Sequence, residues 1–442
     1  MTSSSALDLG QRPANDLVPP EDRQAPPRHG PPLRIAVFVS EFPALSETFV
    51  LRQVVGLRAR GHEVTVFADQ PRAEPLTHPD FLAHGLAERT RYLGMPASRP
   101  RRAATAAGAL LRHGLSRPTV LPRTLDPLRF GRDAINLRML FWAHRLIAEP
   151  PFDVLHCHFG PVGAMVEQLR AIGAVQGRLV TTFHGADLTV CLRRQPDAYR
   201  RLLRRGDLFL PISDYLAGRL ARLGCPAERI GVLRMGVDLQ RFAVRPRRRA
   251  PGEPLRVVTV GRLVDKKGVA DGLAAVAEAA RRGIDLAYTI IGDGPLRGSL
   301  EAQARALGIE RLVGFRGWQV QEEILAALYR HDVLLAPSVT APDGDQEGIP
   351  VTLMEAMATG MPVVSTRHSG IPELVENGVS GLLADEHDAG ALANALTCLA
   401  TAPHLAETMG VAARARVAAL HDADRLDDQL DRHLDALAGA AS

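Results

Sequence analysis

Leu255-Arg-Val-Val-Thr-Val-Gly-Arg-Leu-Val-Asp-Lys-Lys-Gly268 changes character halfway along. Its first six residues are an apolar, β-branched run, and residues 269–280 then carry apolar side chains at helical spacing, so the segment reads as strand, loop and helix. A loop so placed lies at the carboxyl end of its strand, which is the ligand end of an open α/β sheet. Of the 53 Lys and Arg residues in the chain only two are lysine, Lys266 and Lys267, and both fall in this loop. A chain that uses arginine everywhere else keeps here a compact, flexible ammonium in place of a flat guanidinium fork. An anion is the natural partner for such a group.

Outward from this loop the same pattern repeats. Strand-like runs recur at 287–291, 312–315, 333–336 and 362–365, separated by helical stretches. Upstream, residues 244–254 hold four arginines, three prolines and a glycine, a linker composition. Before the linker, a strand at 33–39, a loop through Pro43, a helix from Ser46 as N-cap to Gly61 as stop, and a strand at 62–67 make a βαβ unit. Further strands are expected at 154–158, 179–183, 208–212 and 230–233. The 442-residue chain therefore reads as α/β, with two Rossmann-like domains, 33–243 and 255–404, facing across a cleft. Residues 1–32, rich in Pro, Ser and charge and lacking an apolar h-region, read as a disordered leader and not as a signal peptide. Residues 405–442, helical over 405–437, follow the second sheet and are expected to pack back on the first domain. No stretch of about eighteen uncharged apolar residues is present to span a bilayer. Four cysteines without a CxxC pair disfavour a disulfide framework or a structural zinc site, and a reducing cytosol is the simplest setting.

The most specific chemistry lies in Glu347-Gly-Ile-Pro-Val-Thr-Leu-Met-Glu-Ala-Met-Ala-Thr-Gly360. Pro350 suits the first helical position and Gly360 the stop, leaving Glu347 in the entering loop and Glu355 inside the helix. The N–H groups of Gly348, Ile349, Val351 and Thr352, with the helix dipole behind them, offer a phosphate site. Two carboxylates beside an anion site make sense as acceptors for sugar hydroxyls at the two ends of a nucleotide sugar. Arg262 and Lys267 would offset the phosphates between them.

These segments resemble a known family. The Glu-x7-Glu stretch, Gly-Arg-Leu-x3-Lys-Gly at 261–268 and Phe183-His-Gly-Ala-Asp187 are similar to the retaining GT-B glycosyltransferases of family four, the glycosyl transferases group 1. The likeness runs from residue 33 onward, and Ser213, Met235-Gly-Val-Asp238 before Phe242, and Ile291-Gly-Asp-Gly-Pro295 fall in family order. Met235 in place of the asparagine of many relatives, and Pro43-Ala-Leu-Ser-Glu-Thr48 in place of a double glycine, resemble the branch that builds exopolysaccharides such as colanic acid.

The resemblance implies that Arg262 and Lys267 bind the donor diphosphate, Glu355 the ribose hydroxyls and Glu347 the transferred sugar, with His184 under that sugar. It adds Gly292 and Ser46 to the amides of 348, 349, 351 and 352 as donor contacts. Lys266 falls where relatives carry glutamate or another polar residue, so it is expected to be a bystander. The implied reaction is metal-independent transfer of a hexose, with retention, from a nucleotide diphosphate sugar, UDP-linked by expectation. The acceptor is a hydroxyl of a growing exopolysaccharide glycan, lipid-linked by expectation, and no cofactor is needed beyond the donor. The setting is cytoplasmic, at the inner face of the membrane. The rivals are a sugar-nucleotide epimerase of the same fold and a non-catalytic nucleotide-sugar-binding protein.

Weaker signals take plainer readings. His156 and His158 share one face of a strand around Cys157, but two imidazoles do not make a zinc site, and they read as cleft-edge packing and turn residues. Asp343-Gly-Asp345 reads as an exposed loop. Gly292-Asp-Gly294 needs only the close approach of a nucleotide or of backbone. Residues 99–145 hold ten arginines against two aspartates, interleaved with leucines, Phe141 and Trp142. That stretch suits either an anionic membrane surface or two amphipathic helices. Nucleic acid is not expected at a net charge of +4, since the motifs already account for phosphate binding.

Overall fold

The computed structural model describes residues 30–43, 48–71, 79–113, 118–247, 249–250 and 252–439. Among them, twelve strands form two six-stranded sheets. The first contains β1 (Arg34–Glu41), β2 (Glu63–Gln70), β3 (Thr90–Tyr92), β4 (Val154–His158), β5 (Arg178–Phe183) and β6 (Leu208–Pro211), in the order β3-β2-β1-β4-β5-β6. The second contains β7 (Leu255–Val260), β8 (Leu286–Ile291), β9 (Val313–Phe315), β10 (Val333–Ala336), β11 (Val363–Thr366) and β12 (Leu382–Ala384), in the order β12-β11-β10-β7-β8-β9. Every pairing is parallel. Helices cover both faces of a parallel sheet and leave no wet side, which is why the strands read as continuous apolar runs. All five residues of β4 are buried.

Counted along the chain, both sheets have the same order: third, second, first, fourth, fifth, sixth. Each therefore reverses direction between its first and fourth strands, and ligands bind in the crevice outside the carboxyl ends at such a reversal. In the second sheet the loops leaving that point are 261–268, with the two lysines, and 337–350, with Glu347. In the first sheet they are the loops after β1 and β4. The two-domain α/β architecture expected from the sequence is present.

Several elements differ in detail. Residues 230–233 form no strand, only a single bridge from Ile230 to Phe209. Two three-residue edge strands were not expected: β3, Thr-Arg-Tyr, is not apolar, and β12, Leu-Leu-Ala, is apolar but short. Pro350 is the N-cap of helix Val351–Ala358, one residue before the helical position expected for it. The helical stretch expected over 405–437 comprises two helices, Pro403–Leu420 and Ala423–Gly439, separated where Val237 bridges Asp422.

The break redirects the chain. Helix Pro403–Leu420 lies on helix Val351–Ala358, where a Cβ on Gly410 would run into the carbonyl of Gly360. Helix Ala423–Gly439 instead joins the first sheet: Leu430 and Leu434 share a core cluster with Leu33, Ile35, Val37 and Val54. Asp431 meets His62 Nε2 at 2.6 Å with both side chains sealed from solvent, and Arg60 reaches Asp427 and Asp428. The arginine-rich stretch before β7 is not a slack tether either. Arg247 donates to the carbonyls of His331, Leu328 and Thr359 and to Thr359 Oγ1. Arg245 lies 4.0 Å over the Tyr329 ring.

Candidate active site

On the second sheet, the loop after β7 ends in a 3-10 turn, Asp265–Lys267, closed by Gly268 at φ +60°, where a Cβ would strike the Pro337 carbonyl. That turn aims both ammonium groups at the neighbouring loop. Lys267 Nζ lies 3.1 Å from Glu347 Oε2; Lys266 Nζ lies 3.0 Å from Asp345 Oδ2 and 3.5 Å from Glu347 Oε1. Burial alone would push the Glu347 carboxyl up, but Lys267, then Lys266, outweigh it and hold the group at about 2. Lys266 is therefore no bystander, and Asp345 is no free loop carboxylate: its side chain is half-buried and paired, while Asp343 beside it is exposed and accepts from the Asp345 N–H at 3.0 Å. Glu347 is also held through its backbone, whose N–H donates to His368 Nε2 at 3.0 Å.

The helix that follows begins its bonding at Leu353, whose N–H reaches the Pro350 carbonyl at 3.0 Å, so the amides of Val351 and Thr352 precede the first helical bond. Glu355, farther along, is buried and accepts from Gln321 Nε2 at 2.7 Å. Burial raises its carboxyl to about 7, with Gln321 and Arg241 pulling the other way. Neither Gln321 nor Arg241 carried a sequence signal. Arg262 is exposed, and its guanidinium has no ion-pair or hydrogen-bond partner among the described residues, although its carbonyl accepts from the Val264 N–H at 3.0 Å. Gly292, at φ +132°, has its amide on the Gly317 carbonyl at 2.8 Å, and a Cβ there would run into the Gly261 carbonyl. The glycine loop after β8 thus lies backbone to backbone against the lysine loop. Ser46 lies outside the described residues.

On the first sheet, His184 follows β5. The carboxylate of Asp187, 2% exposed, accepts from the N–H groups of His184, Gly185 and Leu188 and from Gly160 after β4. This buried carboxylate ties the two loops together, a role its place in the sequence motif did not disclose. The His184 ring sits between Phe49 and Phe159, each with its centroid 4.6 Å away, and its Nε2 lies 3.1 Å from His158 Nδ1. Removal from solvent, then His156, pushes His184 down to about 3, so the ring is neutral. His156 Nε2 is taken up by Thr182 Oγ1 at 2.9 Å, so each strand histidine has its own partner.

The two sides meet. A Cβ on Gly348 would lie 2.7 Å from the His184 carbonyl, and one on Gly185 would lie 3.1 Å from the Gly348 amide. Around this contact, the Glu373 carboxylate accepts from the N–H groups of Asp214 and Tyr215 at 2.9 and 2.7 Å, and Tyr215 OH donates to Gln346. Ser213 is the buried N-cap of that helix, bonded to Leu216 N. The structure brings His184, Glu347, Gly348, Lys266 and Lys267 to one place, with Glu355 deeper in the same helix. In the basic stretch, Phe141 and Trp142 are buried in the core, the indole donating to Asp69 at 3.1 Å, so the interleaved aromatics are packing.

Two doubly wound parallel sheets with such a site at their contact define a GT-B glycosyltransferase. Residues 46–241 match the family described as Glycosyltransferase Family 4, and residues 240–416 match Glycosyl transferases group 1. The chain is 40% identical over 393 residues to WcaL of Escherichia coli K12, a glycosyltransferase named for colanic acid biosynthesis, covering 88% of this chain and 96% of that one. It is 40% identical over 391 residues to the amylovoran biosynthesis glycosyltransferase AmsK of Erwinia amylovora, with 87% and 95% covered. The fold is shared with Anabaena HepE, solved with UDP and glucose, at a TM-score of 0.67 and 18% identity over 91% of this chain and 100% of that one. It is also shared with sucrose-phosphate synthase from Thermosynechococcus elongatus, at 0.67 and 21% over 92% and 99%. The chain belongs to the group 1, family 4 glycosyltransferases.

Proposed function

We propose that the chain transfers a hexose, with retention at the anomeric carbon, from a UDP-linked donor to a hydroxyl of a growing, lipid-linked exopolysaccharide glycan. The observation that carries this reading is Glu347, ionised between two lysines in a loop that touches the His184 loop of the opposite sheet. Relatives named for colanic acid and amylovoran biosynthesis support the class of product.

The two ammonium groups are balanced by Glu347 and Asp345. An entering diphosphate competes with Glu347 for Lys267, so phosphate binding frees a carboxylate oxygen to accept from hydroxyls of the transferred sugar. Arg262 adds a second cation, and the amides of Val351 and Thr352 add donors at a positive helix end. Glu355 accepts from the ribose hydroxyls. The neutral His184 ring can hydrogen-bond the sugar without adding charge beside it. The acceptor hydroxyl then attacks the anomeric carbon on the face from which the diphosphate departs. The carbon–oxygen bond to phosphate breaks as the new glycosidic bond forms. The hydroxyl proton passes to the departing phosphate oxygen, whose growing charge Lys267 and Arg262 offset.

A lipid-linked acceptor puts the enzyme at the inner face of the membrane. Among the described residues no helix is long and apolar enough to cross it, but Leu111, Leu128 and Ile135 are exposed within the arginine-rich stretch. Binding to anionic vesicles in a flotation assay tests that contact. The reaction itself is tested with a panel of nucleotide sugars, lipid extracts as acceptors, nucleotide release as readout and proton NMR of the product. Release that depends on acceptor, with the anomeric configuration of the donor kept, supports the proposal. Donor converted without acceptor points to an epimerase, binding without release to a non-catalytic protein, and an inverted linkage removes retention.

A further inference from the structure

Glu347 is gripped through its backbone as well as through its carboxylate. His368, on the loop after β11, is 0% exposed, and both its ring nitrogens are engaged. A backbone N–H can only donate, so the Glu347 amide at 3.0 Å requires Nε2 to be the bare nitrogen. The ring proton then resides on Nδ1, which donates to Glu386 Oε1 at 2.6 Å. Glu386, after β12, is fixed in turn: its Oε2 accepts from the Thr340 N–H at 2.7 Å. Thr340 Oγ1 accepts from Gln346 Nε2 at 3.1 Å, next to Glu347 itself. The chain of contacts leaves the 337–350 loop near its start, passes through Glu386 and His368, and returns to the same loop at Glu347.

We propose that His368, oriented by Glu386, is the positioning residue that keeps Glu347 aimed at the donor sugar while Lys267 is engaged with phosphate. The inference rests on the site reading above. Glu347 is held by two lysines and by its backbone; once Lys267 turns to the diphosphate, one of those holds is lost at the moment the carboxylate must be in place. The bracket through His368 grips the Glu347 backbone amide and leaves the carboxylate itself untouched. His368 itself touches no reacting atom, so its effect must pass through Glu347.

The test uses the full chain, with turnover measured by nucleotide release and binding by UDP titration. Removing one buried hydrogen-bond partner of this kind is expected to lower kcat about tenfold in His368→Ala, with the UDP Kd within about threefold of wild type. His368→Gln should restore most of the loss, because its amide oxygen can accept from Glu347 and its amide nitrogen can donate to Glu386. In a Glu347→Gln background His368→Ala should add less than about twofold, since residues acting as one unit are not additive. Should His368→Ala fold poorly, Glu386→Gln at a partly exposed side chain reads the same chain, with a smaller loss of kcat and the same lack of additivity. Multiplying effects of His368 and Glu347, a His368→Gln variant no better than alanine, or unchanged kcat in Glu386→Gln would each overturn the proposal. Wild-type turnover in Glu347→Gln alone would remove the site reading beneath it, whereas a normal Glu347 effect with an additive His368 effect would remove the positioning role by itself.

Discussion

Glu355→Gln separates the needs of the fold from those of the ligand. Burial holds the Glu355 carboxyl at about 7 against an ordinary 4.5. At about 1.4 kcal/mol per tenfold, that gap corresponds to about 3 kcal/mol. The sign follows from the direction. Below about pH 4.5 the group is protonated folded and unfolded and contributes nothing; between there and about pH 7 the unfolded chain gives up the proton that the folded protein keeps, so stability falls progressively and the full loss is reached once pH passes the folded value. Glutamine keeps the shape and the contact with Gln321 but carries no charge. The variant should therefore melt with wild type at pH 5 and several degrees above it at pH 8, as followed by circular dichroism across that range. Donor binding should move the other way. Losing a charge-assisted acceptor for the ribose should raise the UDP Kd at least about tenfold. UDP binding to wild type near pH 6.5 should also release a proton, because ribose hydroxyls favour the ionised form; calorimetry in two buffers of different ionisation enthalpy reads this directly. An equal melting difference at pH 5 and pH 8 would refute the buried-charge argument, and unchanged UDP affinity would refute the ribose contact.

Lys267→Ala should cost on the order of 10²–10³ in kcat, the loss of one preorganised donor to developing charge, and Lys267→Arg a substantial part of that, both read by nucleotide release. Lys266→Ala should lower kcat about tenfold with little change in UDP Kd, since it meets Glu347 and Asp345 and not the phosphate; a silent Lys266→Ala would return it to the status of a bystander. His184→Ala should abolish most transfer while UDP titration stays near wild type, and unchanged transfer would assign the ring to packing between Phe49 and Phe159. Glu373→Ala leaves the amides of Asp214 and Tyr215 without their acceptor from the opposite domain. It should widen the distribution of domain separations in small-angle scattering without UDP, and an unchanged scattering curve would count against that clasp.

The sheets were legible because parallel strands covered on both faces must be continuous apolar runs, and ten of the twelve are. The two that were missed, β3 and β12, are three-residue edges: Thr-Arg-Tyr is not an apolar run, and Leu-Leu-Ala is too short to stand out from its flanks. The opposite error at 230–233 has the same cause: an apolar run there found a single bridge to Phe209 and no ladder. The candidate loop at 261–268 could be located because it lies between an apolar strand-like run and a helical pattern, and the family resemblance named residues in it and in the Glu347 segment. What neither could supply was the set of contacts between loops: Asp187 tying the loops after β4 and β5, Gln321 on Glu355, and His368 behind Glu347. Each joins segments distant in sequence through one polar atom, which leaves no periodicity to read.

The two lysines show where composition helped and where it misled. Their isolation in an arginine-rich chain pointed to a loop where a point charge matters, and that inference required only the physics of an ammonium group. Treating one as functional and the other as incidental required knowing what each faces. The structure pairs one Glu347 oxygen with each lysine and gives Lys266 a second carboxylate at Asp345, making a four-charge set with no net charge. On the proposed reading, a diphosphate at Lys267 would open its pair with Glu347 and release a carboxylate oxygen for the sugar, while Lys266 and His368 would keep Glu347 in place. Lysine suits both positions for the same reason: a flexible stem with a single charged end can exchange one oxygen partner for another, whereas a bidentate guanidinium would hold Glu347 by both oxygens and leave none to release.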